Sequence, residues 1–185
     1  MLGAAGTMQR RQFLRMSAGA VAAAAVAPIA PLSALAATNR RTLHLYDAHN
    51  LVEIKEEYFA DGWYNPDVLA KFNYFLRDWR SDEVRVMDPK LLDILNALQR
   101  KGGSDEPIHV VCGYRSRATN AMLARRSRGV ARNSLHIQGQ AADIFMPNMS
   151  LASLRRNAVD MQAGGVGYYP RSNFVHVDTG DIRTW

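Results

Sequence analysis

The sequence predicts an α+β domain, with a largely antiparallel sheet packed against helices. Three observations carry this. After residue 40, two stretches repeat apolar residues at helical spacing, and each opens with an Asn-Pro or Asp-Pro pair. Further on, short apolar runs alternate with loops, the texture of strands. The chain has 185 residues, 48% of them hydrophobic and 22% charged, which suits one ordinary globular core.

Residues 1–36 read as an export signal outside that core. Arg10-Arg11-Gln12-Phe13-Leu14-Arg15 precedes an uncharged, alanine-rich stretch broken by Pro28 and Pro31 and closed by Ala34-Leu35-Ala36. Paired arginines, a weakly apolar segment and a small-x-small site describe a twin-arginine signal cleaved near Ala36. A transmembrane helix fits less well, because alanine is barely apolar and the prolines interrupt a span of roughly 20 residues. The expected mature protein is a single domain, 37–185, soluble in the bacterial periplasm and without integral membrane contact.

Within 37–185, residues 42–46 and 51–59 look like two strands joined by the polar turn 47–50. Asn65-Pro66 then caps a helix whose stripe is Val68, Leu69, Phe72, Phe75, Leu76 and Trp79. Asp88-Pro89 repeats the device for Leu91, Leu92, Leu95 and Leu98, with Gly102-Gly103 as the stop. Strands are expected over 108–111, 141–146, 166–169 and 174–177. Helices are expected over 118–126 and from the cap Ser150 to Met161.

Charge and cysteine content exclude some classes. Of 23 basic residues three lie in the signal, leaving 20 against 17 acids, and this mild excess gives no support to nucleic-acid binding. Cys112 is the only cysteine, so no intrachain disulfide is possible, and its place after Val110-Val111 reads as a buried small hydrophobe.

The chemistry gathers in "SLHIQGQAADI" (134–144) and "NFVHVDTG" (173–180). An ionised aspartate in an apolar strand costs several kcal/mol unless it is paired or binds a metal, which singles out Asp143. A turn at Gly139 can return His136 to the start of that strand. Alternation puts Phe174, His176 and Asp178 on one face of the last apolar run and Val175 and Val177 on the other. Two imidazoles and one carboxylate suit a catalytic zinc with a fourth position left for water. His136, Asp143 and His176 fit that plan, although a loop histidine and a salt-bridged aspartate would account equally for the first two.

Ser134-x-His136-x-x-Gly139-x-Ala141-x-Asp143 resembles the metal motif of the D-Ala-D-Ala zinc peptidases. "CGYRSRATN" (112–120) is similar to their GYRS segment, and His176 to their last zinc ligand. Flanking text such as "FLRDWR" and "GGVGYYP" extends the likeness toward the twin-arginine-exported branch typified by murein endopeptidase K. The resemblance implies a D-Ala-D-Ala zinc peptidase-like fold, Zn2+ on His136, Asp143 and His176, and cleavage of peptide bonds in murein cross-links. It also implies that Arg115 steadies the oxyanion of the tetrahedral intermediate.

One position departs from the family. Many relatives carry the catalytic acid three residues before the last histidine, where this chain has Asn173. Asp178, the nearest carboxylate on the same face, is the expected base, the other reading being an acceptor that orients a ligand imidazole. Tyr114 and Arg132 are candidate substrate contacts, Tyr114 reading at least equally as a buried structural tyrosine. Arg132 belongs to a basic run with Arg125, Arg126 and Arg128 that could receive carboxylates of peptidoglycan stem peptides. The missing acid leaves a second function open, a non-catalytic zinc-stabilised module that binds cell wall or a partner.

Overall fold

The structure, a computed structural model, describes residues 39–103, 105–127 and 129–185. The proposed signal 1–36 and Arg128 lie outside the described residues. Among the described residues no helix is long and apolar enough to cross a membrane.

Eight strands form one sheet: β1 (Arg41–Asp47), β2 (Val52–Ala60), β3 (Trp63–Tyr64), β4 (Ile108–Cys112), β5 (Ala141–Phe145), β6 (Gly165–Tyr169), β7 (Phe174–Asp178) and β8 (Arg183–Thr184). Their order is β3-β2-β1-β4-β5-β7-β6-β8. Five of the seven pairings are antiparallel, and β1–β4 and β6–β8 are parallel. The α+β expectation therefore holds, while the two parallel joins and the short strands β3 and β8 were not anticipated.

The helices are α1 (Pro66–Phe75), α2 (Pro89–Gly102), α3 (Arg117–Arg126) and α4 (Leu151–Asp160). Each is opened by a polar side chain that accepts orphan backbone N–H groups: Asn65, Asp88, Ser116 and Ser150. Proline at the first position of α1 and α2 adds a pre-set φ. Helix α1 ends at Phe75, so Trp79 falls outside it. The chain turns there because Asp78 accepts from Arg80 N and Ser116 N at 3.0 and 2.9 Å, and Trp79 instead stacks on His49 at 4.1 Å.

Leu91, Leu92, Leu95 and Leu98 of α2 and Leu154 and Ala158 of α4 pack with Leu43, Leu45, Ile108, Val110, Ala142, Ile144, Val175 and Val177 of the sheet. Full burial of each large side chain contributes about 1.5–3 kcal/mol. Alternation then fixes the other face. If Ala142, Ile144, Val175 and Val177 point into this core, Asp143, His176 and Asp178 must project from the opposite side of β5 and β7.

Candidate metal centre

Strand register aligns the proposed ligands. Asp143 stands opposite His176 on β7 and opposite Cys112 on β4, and His176 stands opposite Gly167 on β6. The β4–β5 register shifts between Val110 and Cys112. That bulge turns Cys112 out of the series Ile108 and Val110 and onto the face carrying Asp143.

His136 reaches the same point from a single 3-10 turn (Leu135–Gln138) opened by Ser134, whose hydroxyl accepts from His136 N. Gly139 ends the turn with φ +74, and a Cβ there would meet the Val86 carbonyl oxygen at 2.5 Å. Glycine is thus required both by the left-handed backbone and by the close approach.

The three ligand atoms form a tight triangle. His136 Nε2 is 3.2 Å from Asp143 Oδ1 and 3.1 Å from His176 Nδ1, and His176 Nδ1 is 2.9 Å from Asp143 Oδ1. Ligands of a tetrahedral zinc at about 2.0–2.1 Å stand about 3.3 Å apart, so the triangle fits one face of such a tetrahedron. The outer nitrogens are committed elsewhere: His136 Nδ1–H donates to the Gly113 carbonyl at 2.7 Å, and His176 Nε2–H donates to Asp178 Oδ2 at 3.0 Å. Each imidazole is thereby held in the tautomer that turns a lone pair toward the centre. A buried donor set of two imidazoles and a carboxylate suits zinc chemically as well.

Electrostatics agree with a cation site. Burial pushes the Asp143 carboxyl up, but His136 and His176 outweigh it and hold it well below the usual carboxylate range. Burial pushes His136 down, and Asp143 with Cys112 overcomes this, so His136 is pushed up to about 10. A positive charge is favoured at this point, whether it comes from a proton or a metal.

Asp178 is saturated. Its Oδ1 accepts from Gly165 N, Gly180 N and Arg183 Nη1 at 3.0, 2.9 and 3.1 Å, and its Oδ2 from Arg183 Nη2 at 2.7 Å as well as from His176. Five donors use the four or so lone-pair directions of a carboxylate, on the side of His176 away from the ligand triangle. Of the two roles open to Asp178, base or orienting acceptor, this geometry suits the acceptor that orients His176. Burial raises the Asp178 carboxyl, yet the bonds from His176, Arg183, Gly180 and Gly165 hold it well below the ordinary range.

The triangle forms the floor of a cleft of about 710 Å³. Arg115, Asn133, Ser134, Tyr169, Phe174, Arg183 and Trp185 are among the residues that line it. Arg115 Nη2 lies 3.5 Å from Asp143 Oδ2 and 3.4 Å from Cys112 Sγ, and Nη1 donates to Asn120 Oδ1 at 3.3 Å.

Comparison with known proteins shows the family. Residues 35–185 match the family described as peptidoglycan L,D-endopeptidase MepK. The chain belongs to that family. It is 46% identical over 151 residues to the peptidoglycan L,D-endopeptidase MepK of Escherichia coli K12, covering 82% of this chain and 83% of that protein. A probable MepK of Haemophilus influenzae is 47% identical over 123 residues, 66% of each chain. The zinc D-Ala-D-Ala carboxypeptidase of Streptomyces albus G is 31% identical over 124 residues, 63% of this chain and 46% of that protein.

In this MepK-family chain the proposed ligands His136, Asp143 and His176 and Arg115 come together. Tyr114 is packed in the hydrophobic core, with Glu83, Arg85, Asp78 and Arg117 as its charged neighbours, which suits a structural tyrosine. Arg132 lines a neighbouring pocket of about 440 Å³ with Arg117 and Arg125, outside the cleft itself. Cys112 is buried as expected, but beside ionisable groups rather than apolar ones, and a ligand atom of each of Cys112, His136 and Asp143 lies within 4.8 Å of the others. His44, His49 and His109 contact Glu53, Trp79, and Tyr46 with Phe145, none of them a ligand. Sequence reasoning missed Asp78, Arg183 and Trp185; Asp78 accepts from Ser116 N, 38 residues away, Trp185 donates to Tyr169, and Arg183 bonds Asp178 only five residues back.

Proposed function

We propose that this protein is a zinc-dependent peptidoglycan endopeptidase that hydrolyses peptide bonds in murein cross-links. The observation that carries the reading is the triangle of His136 Nε2, Asp143 Oδ1 and His176 Nδ1 at the floor of an open cleft. The names of the MepK relatives favour a bond between an L- and a D-configured residue.

His136, Asp143 and His176 would hold the zinc. When bound, zinc lowers the pKa of a coordinated water from about 15.7 toward about 7 and polarises the scissile carbonyl. The Gly113 carbonyl and Asp178 fix the two imidazoles, and Arg115 steadies Asp143. The Arg115 guanidinium, at the edge of the cleft, offers planar donors to the oxyanion that develops on the carbonyl. Stem peptides carry carboxylates, and the Arg117, Arg125 and Arg132 pocket beside the cleft suits them. The paired arginines and the small-x-small site ahead of the domain support twin-arginine export to the periplasm, where this substrate lies.

One observation favours a second reading. Asp143 is the sole acidic side chain among the described residues lining the cleft, and Asn173 has φ 57, a left-handed turn residue rather than an acid aimed at the centre. A zinc-stabilised module that binds stem peptides without cutting them would have that cleft. Purified sacculi incubated with the zinc-loaded mature protein separate the two. Chromatography should show cross-linked muropeptides converted to monomers by wild type and not by His176→Ala, whereas co-sedimentation without product would establish the binding module.

A further inference from the structure

We propose that Trp185 determines specificity in this cleft: its indole is the platform against which an aliphatic side chain flanking the scissile bond packs. The proposal rests on the hydrolase reading for its kinetics, but not for its binding test.

The row across the sheet runs Cys112, Asp143, His176, Gly167. Its last position carries no side chain. Strand β8 pairs with β6, and the ladder continues through Trp185 N to Val166 O at 3.2 Å and Tyr168 N to Trp185 O at 3.0 Å. The indole thereby fills the place vacated at Gly167, where a Cβ would meet it at 2.7 Å. Its ring centroid lies 5.3 Å from that of His176. An aromatic surface is thus set beside a proposed zinc ligand by two strands and a glycine.

The ring is also held in place. Nε1–H donates to the Tyr169 hydroxyl at 2.7 Å, and the Arg183 guanidinium, itself bonded to Asp178, sits 4.9 Å from the ring. Tyr169 in turn stacks on Phe174 at 4.7 Å. Even so, 47% of Trp185 remains exposed, on a cleft also lined by Val130, Ala131, Asn133, Ser134 and Leu135. Packing within the protein does not require an immobilised indole left half open. A rigid apolar surface that loses little entropy on binding is what a ligand site uses for anchoring. Its chemistry selects a methyl or methylene chain next to the amide being cut, with Arg183 at the rim for a nearby carboxylate.

The test compares wild type, Trp185→Phe and Trp185→Ala, all zinc-loaded, on a soluble cross-linked muropeptide. Trp185→Ala should raise KM roughly tenfold with little change in kcat, and Trp185→Phe should recover most of the loss. Zinc content should equal wild type in both. A second readout needs no turnover: the muropeptide should change the indole fluorescence of wild type, and Trp185→Phe, which keeps Trp63 and Trp79, should lose that change. Unaltered KM in Trp185→Ala, or loss of zinc from it, overturns the proposal, the latter making the indole a support for His176. If wild type binds the muropeptide without cutting it, the hydrolase reading fails and the fluorescence comparison alone decides about Trp185.

Discussion

Asp178 shows how much a side chain's role depends on what its second oxygen touches. On sequence alone it shares a face with His176 and could take a proton from water. In the fold it lies behind the ring, occupied by two glycine N–H groups, Arg183 and His176. Asp178→Asn replaces one acceptor oxygen with a donor, so one of these groups loses its partner and His176 loses its fixed tautomer. Zinc affinity should fall by about 10- to 100-fold, with activity recovered on adding zinc, as found when such orienting partners are removed. A kcat lowered by about 10²–10⁴ at full zinc occupancy would instead return Asp178 to the role of base. Arg115→Lys separates the other charged neighbour. The variant should fold and keep its zinc while kcat falls by about 10² or more, since a point charge cannot reproduce the guanidinium fork. Steady-state kinetics beside metal analysis reads both substitutions.

Between elements, legibility followed locality. Helices α1 and α2 could be read because cap, proline and apolar stripe are all within one segment, and the shared face of Asp143 and His176, the proposed ligands on β5 and β7, because a period of two needs only the strand itself. Cys112 could not, because the bulge that turns it toward Asp143 is a property of two strands in register. Trp79 was misplaced because Asp78 prefers the N–H of Ser116, 38 residues away, to another helical turn. Trp185 meets the site through the parallel β6–β8 ladder, which has no local signature. The same long-range wiring makes the cap of α2 testable. Asp88 accepts from Lys90 N at 3.0 Å and from the Thr179 hydroxyl at 2.7 Å, next to Asp178. Asp88→Ala should cost about 1–2 kcal/mol, a Tm lowered by roughly 2–8 °C at this size. An unchanged melting temperature would show that neither bond contributes.

For the whole molecule, the proposed ligand triangle joins three chain segments, so with a metal bound there, occupancy, protonation and folding would be linked. Zinc at 100 times its Kd should stabilise the fold by about 2.7 kcal/mol, and a chelator should remove that increment. Protons compete for the same site. In the metal-free protein His136 is pushed up to about 10 from its ordinary 6.5. A raised pKa means that its pairing with Asp143 contributes stability fully present below about pH 6.5 and lost as pH rises through about 10. Zinc requires the neutral imidazole, so its binding expels the His136 proton anywhere below about pH 10. Zinc affinity should therefore climb with pH, by up to about tenfold per unit between pH 7 and 9. The metal-free fold should lose stability over the same range. Titration calorimetry at pH 7.5 in buffers of different ionisation enthalpy should count about one proton released per zinc from this residue. Affinity that stays level from pH 7 to 9 would mean that His136 is already neutral in the metal-free protein, and that Asp143 is balanced there by its other neighbours, His176 and Arg115.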